Sequence, residues 1–127
     1  MSSRSRKVSG EEYTEDMNDF DHALCPRYHR AVEIIGRRWN GAILLMMLRG
    51  ATRFTELRGA IPDISDKMLS ERLKELEHEG LIRRTVIPDT PVRVEYQLTD
   101  KGRALQAVVE SISSWAEAWV DHAETVS

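Results

Sequence analysis

Residues 62–80 read Pro62-Asp63-Ile64-Ser65-Asp66-Lys67-Met68-Leu69-Ser70-Glu71-Arg72-Leu73-Lys74-Glu75-Leu76-Glu77-His78-Glu79-Gly80, and this stretch decides the fold. Ser65 is a good N-cap, Asp66 in the first turn complements the helix dipole, and Gly80 marks the stop. Leu69, Leu73 and Leu76 recur at i, i+4 and i+7, which gathers them into one stripe on a helix. Lys67, Glu71, Lys74 and His78 fall on the opposite side, with Ser70 on one flank and Met68, Arg72 and Glu75 on the other. The pattern predicts a helix with a buried leucine face and a polar face that can touch a partner.

Beyond Gly80 the period changes from that of a helix to that of a strand. Leu81–Ile87 and Val92–Leu98 are rich in β-branched residues, and Pro88-Asp89-Thr90-Pro91 between them is a turn signal. Val92, Val94 and Tyr96 alternate with Arg93, Glu95 and Gln97, as in a strand with one buried face. A two-stranded hairpin is expected, with Arg83, Arg84 and Arg93 on or near it. Thr99 is the expected cap of a last helix from about Asp100 to Asp121. Its Leu105, Val108, Ile112, Trp115 and Trp119 step by 3, 4, 3 and 4, the spacing of a heptad seam.

Ahead of the deciding stretch, Pro26 suits a first helical turn, and Tyr28, Ala31, Val32 and Ile35 follow at helical spacing up to Gly36. Trp39 to Leu48 is almost wholly apolar, the mark of a buried helix, and Arg49-Gly50 closes it. Phe54 and Leu57 anchor a short helix with Thr55 as its expected N-cap, ended by Gly59 to Pro62.

The composition bounds the rest. With 127 residues, 41% of them hydrophobic, the chain suits one domain whose core hides roughly two-thirds of the unfolded surface. At 31% charged it reads as a soluble globular chain, neither disordered nor fibrous. The longest apolar run, Ala42 to Leu48, is far short of the ~20 residues that span a bilayer, and no apolar segment of a signal peptide follows residues 1–10. The single cysteine excludes an internal disulfide. A cytoplasmic protein without a membrane partner is expected. Residues 1–22, with 3 basic and 6 acidic side chains, are read as a flexible acidic arm, leaving 23–122 as the folded domain. The net charge of −3 conceals a basic centre, 13 against 10 over residues 23–98. Such a centre is compatible with phosphate contact, which depends on local charge.

Helix, short helix, capped helix, hairpin: this is the element order of a winged helix-turn-helix, a mainly α fold with a small β-hairpin (α+β). In that fold the third element enters the major groove of double-stranded DNA while the hairpin, the wing, lies along the backbone. A groove about 12 Å wide admits one helix, whose exposed side chains reach base edges while flanking cations bind phosphate. The expected base-reading set is Ser65, Lys67, Met68, Ser70, Glu71, Arg72 and Lys74, with Lys67 and Ser70 foremost and Arg72 or Lys74 taking phosphate instead. Arg53, Arg83, Arg84 and Arg93 are the candidate backbone contacts. The seam of Leu105, Val108, Ile112, Trp115 and Trp119 points to a partner helix, because so small a domain has limited room for a heptad stripe.

Several motifs, in this order, carry a resemblance: Cys25-Pro26, Ile35-Gly36-Arg37-Arg38-Trp39, Arg53-Phe54-Thr55-Glu56-Leu57 and Ile64-Ser65-Asp66-Lys67-Met68-Leu69. Leu73-Lys74-Glu75-Leu76-Glu77, Gly80-Leu81-Ile82 and Val94-Glu95-Tyr96-Gln97-Leu98-Thr99 with Gly102 continue it to about residue 120. Together they resemble the HxlR family of bacterial transcriptional regulators. Arg37 stands where that family commonly has a second glycine, and the charge before Trp39 is kept. The resemblance implies a homodimeric, sequence-specific DNA-binding regulator without catalytic activity, dimerised through N- and C-terminal helices. It also implies, for some members, sensing of oxidants or electrophiles through the cysteine of the Cys-Pro element, here Cys25.

The residues around Cys25 fit such a sensor. Free N–H groups at a helix start, the helix dipole, and Arg27, His29 and Arg30 nearby all favour the thiolate, the reactive form. Burial as a small apolar side chain is the other reading of the same residue. Other chemistries find no support. His22, His29, His78 and His122 lack metal-ligand spacing, and Glu75, Glu77 and Glu79 do not converge on a helix. No glycine-rich phosphate loop or serine nucleophile motif is present, so no enzyme, metal or cofactor is expected. The alternative to DNA binding is a winged-helix module whose polar helix face docks another protein.

Overall fold

A computed structural model describes residues 25–121. The arm expected over 1–22, and the expected domain's end residues 23, 24 and 122, lie outside the described residues. By their contacts the residues fall into two units, divided after Gly36.

In the first unit, helix α1 spans Pro26–Gly36 and buries none of its residues. Pro26 occupies its first position, and the Cys25 carbonyl accepts the first helical hydrogen bond from the His29 N–H at 3.0 Å. Tyr28 and Val32 stand exposed on it.

The second unit holds the elements predicted downstream: α2 (Asn40–Leu48), α3 (Phe54–Ala60), α4 (Asp66–His78), β1 (Ile82–Ile87), β2 (Arg93–Leu98), α5 (Asp100–Arg103) and α6 (Gln106–Trp119). Three leucines of α4, Leu69, Leu73 and Leu76, are fully buried among Ile43, Leu44, Leu57, Ile64 and Leu81. Ser65 caps α4 as expected, accepting the Met68 N–H at 3.0 Å. Gly80 ends that helix at φ 80°, a backbone state open to glycine at no steric cost. The strands pair antiparallel from Ile82↔Leu98 to Ile87↔Arg93. The fold is a winged helix-turn-helix, mainly α with one hairpin.

Five local expectations need correction. The second helix starts at Asn40, because Trp39 lies at φ 82° in the left-handed region and so stands outside the helix. Only Asn40, Ile43, Leu44 and Met47 of α2 are buried, since a nine-residue helix turns one stripe inward and leaves Leu45, Met46 and Leu48 half-buried. Thr55 is not the cap of α3. The cap position is Arg53, and the Glu56 carboxylate reaches back to accept the N–H groups of Thr52 (2.8 Å) and Arg53 (3.1 Å). A carboxylate at the third helical position thus takes up the N–H groups of the two residues ahead of the helix.

The hairpin has no fully buried face. Ile82 and Leu98 at its root are buried, but Val86 and Val92 near its tip are exposed, because the ribbon projects past the helices that cover its base. Last, the predicted single helix of 100–121 is two. Thr99 caps α5, and the Leu105 N–H then bonds back to the Gly102 carbonyl, a tight three-residue step that separates α5 from α6.

One junction holds these elements together. The Thr99 hydroxyl donates to the Gly80 carbonyl at 2.6 Å and accepts the Gly102 N–H at 3.1 Å, while the Thr99 N–H bonds the Leu81 carbonyl at 3.0 Å. Lys101 Nζ adds a bond to the Glu79 carbonyl at 2.7 Å. A Cβ at Gly102 would collide with the Leu81 carbonyl oxygen. Gly102→Ala is therefore expected to destabilise by about 1–3 kcal/mol or more, and Ser65→Ala by about 1 kcal/mol. Urea unfolding of the two variants checks this; midpoints equal to wild type would contradict it.

Candidate nucleic-acid interface

The leucine stripe turns the opposite side of α4 outward. Lys67, Glu71 and Lys74 are exposed there, with Met68 and Ser70 half-exposed beside them. Among the described residues no carboxylate pairs with Lys67 or Lys74, so both ammonium groups are available to a ligand. Ser70 likewise has a free hydroxyl. These are the side-chain types that reach base edges: donors for guanine and adenine acceptors, and the Glu71 carboxylate for the cytosine amine.

Two members of the predicted set have other work. Ser65 uses its oxygen as the helix cap. Arg72 is buried, with Nε donating to the Arg38 carbonyl at 3.2 Å and Nη1 to Glu75 Oε2 at 3.0 Å. Its guanidinium is turned toward the protein, so Arg72 is withdrawn from the base-reading and phosphate sets. Helical spacing put it on a flank, and the turn at Arg38 is what covers that flank.

The hairpin flanks α4. Arg83 and Arg84 are exposed on successive positions of β1 and therefore on opposite faces of the ribbon. Arg84 and its cross-strand partner Tyr96 face Ser70, Leu73, Lys74 and Glu77 of α4 across an open cleft. Lys74 and Arg84 bring two cations to this cleft, a place suited to a backbone phosphate. Tyr96 was not foreseen as a site residue; its register opposite Arg84 is the signal that places it. Arg93 differs from both. It pairs with Asp89 at 2.8 Å and Glu95 at 3.2 Å, so a phosphate must compete with two carboxylates for it. Arg53 is exposed at the start of α3.

The last helix presents the predicted seam to solvent. Val108, Ile112, Trp115 and Trp119 are exposed, the last at 74%, while Val109 on another side of α6 is buried. Leu105 lies in the tight step before α6 and is half-buried.

Cys25 occupies the cap position of α1. The backbone N–H of Tyr28, then that of Arg27, and the Arg27 side chain donate to its sulfur and hold the thiol below its ordinary pKa. His29 and Arg30 pair instead with Glu33, at 3.5 and 3.7 Å. Among the described residues no cluster of three or more His, Cys, Asp or Glu could hold a metal ion, and no helix is long and apolar enough to cross a membrane.

Comparison with known proteins agrees with this geometry. Residues 34–124 match the family model of the HxlR-like helix-turn-helix. The chain is 52% identical over 98 residues to the HTH-type transcriptional regulator YvaP of Bacillus subtilis strain 168, covering 77% of this chain and 91% of that one. It is 46% identical over 105 residues to the HTH-type transcriptional regulator YodB of the same strain, covering 83% and 94%. The crystal structure of quinone-bound YodB superposes with a TM-score of 0.64 at 44% identity, over 76% of this chain and all of that one. The redox regulator HypR in its oxidized form superposes at 0.71 with 37% identity, over 76% and 99%.

The lowered Cys25 pKa stabilises the thiolate, so the alkylation rate of the folded protein by iodoacetamide should rise at a pH below that of an ordinary thiol. Arg27→Ala should move the rise upward. A wild-type profile matching a free cysteine would contradict this.

Proposed function

Since the chain belongs to the HxlR-like helix-turn-helix family and is a DNA-binding transcriptional regulator, we propose that it acts as a homodimer on a pseudo-palindromic operator. Each protomer lays α4 in the major groove, and the two-fold axis of the dimer sets half-sites one helical turn, about 34 Å, apart. The observation that carries this reading is the outward face of α4: Lys67, Ser70 and Lys74 without internal partners, beside a hairpin bearing Arg83 and Arg84.

In this reading Lys67, Ser70, Glu71 and Met68 contact base edges, while Lys74 and Arg84 share a phosphate at their cleft. Arg53 and Arg83 add backbone contacts, and Arg93 contributes least because of its two carboxylates. The exposed Val108, Ile112, Trp115 and Trp119 form the dimer seam on α6, where burial of four large apolar side chains favours association. The DNA-binding domain spans 23–122 behind an arm at 1–22, and the protein works in the cytoplasm, where its partner DNA lies. The relatives are transcriptional regulators, a non-enzymatic class.

An electrophile or oxidant is the proposed effector, acting at Cys25. The capped, thiolate-favouring sulfur supports this, as do the redox and quinone relations of HypR and YodB. With one cysteine per chain, oxidation ends in a sulfenic acid, a mixed disulfide or a bond between subunits.

Binding-site selection from a random duplex library tests the reading of α4. Lys67→Ala and Ser70→Ala should each relax preference at one position by ~1–3 kcal/mol. Arg84→Ala should weaken selected and random duplex alike and lower the salt slope by about 1. A wild-type chain that selects no sequence, and binds random duplex without salt dependence, would instead favour a protein-docking module.

A further inference from the structure

Outside the DNA face, one carboxylate gathers two arginines. Glu75 lies on the flank of α4, between the buried stripe and the exposed side. Arg37 Nε donates to its Oε1 at 2.9 Å and Arg37 Nη2 donates to its Oε2 at 3.3 Å, a forked contact. Arg72 Nη1 donates to Oε2 at 3.0 Å, and Arg72 Nε donates to the Arg38 carbonyl at 3.2 Å.

The helix α4 is thus tied twice to the same short turn, residues 37–39, ahead of α2. That turn is well defined in its own right. Trp39 sits at φ 82°, the Arg38 guanidinium lies 4.6 Å from the centre of its ring, and the Asn40 N–H closes onto the Arg37 carbonyl at 3.0 Å.

Leu69, Leu73 and Leu76 set which face of α4 turns inward. The contacts to residues 37 and 38 refine its roll within that setting. A forked arginine–carboxylate contact is directional. With side chains reaching about 5–6 Å from the helix axis, a roll of roughly 10° moves a side-chain tip by about 1 Å. A displacement of that size takes a hydrogen bond to a base edge out of range.

We infer that Arg37 is a positioning residue for DNA reading: through Glu75 it sets the roll of α4, and so the discrimination exerted by Lys67 and Ser70. The inference rests on α4 being the reading helix. Removing Glu75 would strand the nearly buried Arg72 and threaten the fold. Arg37 is half-exposed, with its side chain at 51%, so Arg37→Gln leaves the Arg72–Glu75 pair in place.

The test uses the full chain, the duplex that wild type selects from a random library, and a random duplex of equal length. For Arg37→Gln the ratio of selected to random affinity should fall about two- to fivefold, the range an ion pair of this exposure can carry. Random-duplex affinity, salt slope and melting temperature should stay at wild-type values. An unchanged ratio would overturn the inference. Equal weakening on both duplexes with a salt slope smaller by about 1 would also overturn it, by making Arg37 a phosphate contact. A wild-type chain that selects no sequence removes the reading of α4 itself, and this inference with it.

Discussion

The hydroxyl of Thr99, held between the Gly80 carbonyl and the Gly102 N–H, fixes how α4 and the hairpin stand to one another. Four elements meet there: the end of α4, the root of β1, the end of β2 and the start of α5. Each bond of this kind adds about 1 kcal/mol net, so the junction draws its hold from several bonds acting at one place. The absent side chain at Gly102 is as necessary as the bonds, because the Leu81 carbonyl occupies the place of its Cβ. Under the proposed function α4 enters the groove and the hairpin meets the backbone, which requires a fixed separation, and this contact fixes it.

Along α4 the residues divide between internal and external roles. Ser65 caps the helix, Asp66 pairs with Arg58 at 2.7 Å, Leu69, Leu73 and Leu76 hold the core, and Arg72 and Glu75 bind the turn ahead of α2. What remains outward is Lys67, Glu71, Lys74, Glu77 and His78, with Met68 and Ser70 half-exposed at the margin. Polar side chains are not interchangeable in this respect. Those with partners inside the protein orient the helix, and those without are left to solvent or a ligand.

Much of this was legible in the residues. Ser65 and Gly80 bracket α4 because capping chemistry is local, and the leucine spacing named its buried face because helical periodicity is local as well. The hairpin followed from β-branched runs around a proline turn. What escaped depended on contacts between distant positions. Arg72 looked like a flank cation because nothing in its neighbourhood shows that residue 38 covers it. Arg93 looked free because the turn that brings Asp89 back to it is a matter of hairpin geometry. The break between α5 and α6 is a tight step in which the Leu105 N–H bonds the Gly102 carbonyl, and helical spacing carries no signal of it. The Glu56 cap was within reach of sequence reasoning, since a glutamate three residues past the cap is a known signature, but Thr55 drew attention first.

The central claim is that two copies of α4 read the major groove on one face of a duplex. Guanine N7 faces that groove and accepts hydrogen bonds there, so methylating it blocks a side chain that approaches from that side. Methylation interference on the duplex selected by the wild-type chain measures this directly. Interference in two clusters centred about 10 base pairs apart is the predicted result. Binding that is indifferent to N7 methylation, or sensitive to it in a single cluster, would contradict the account.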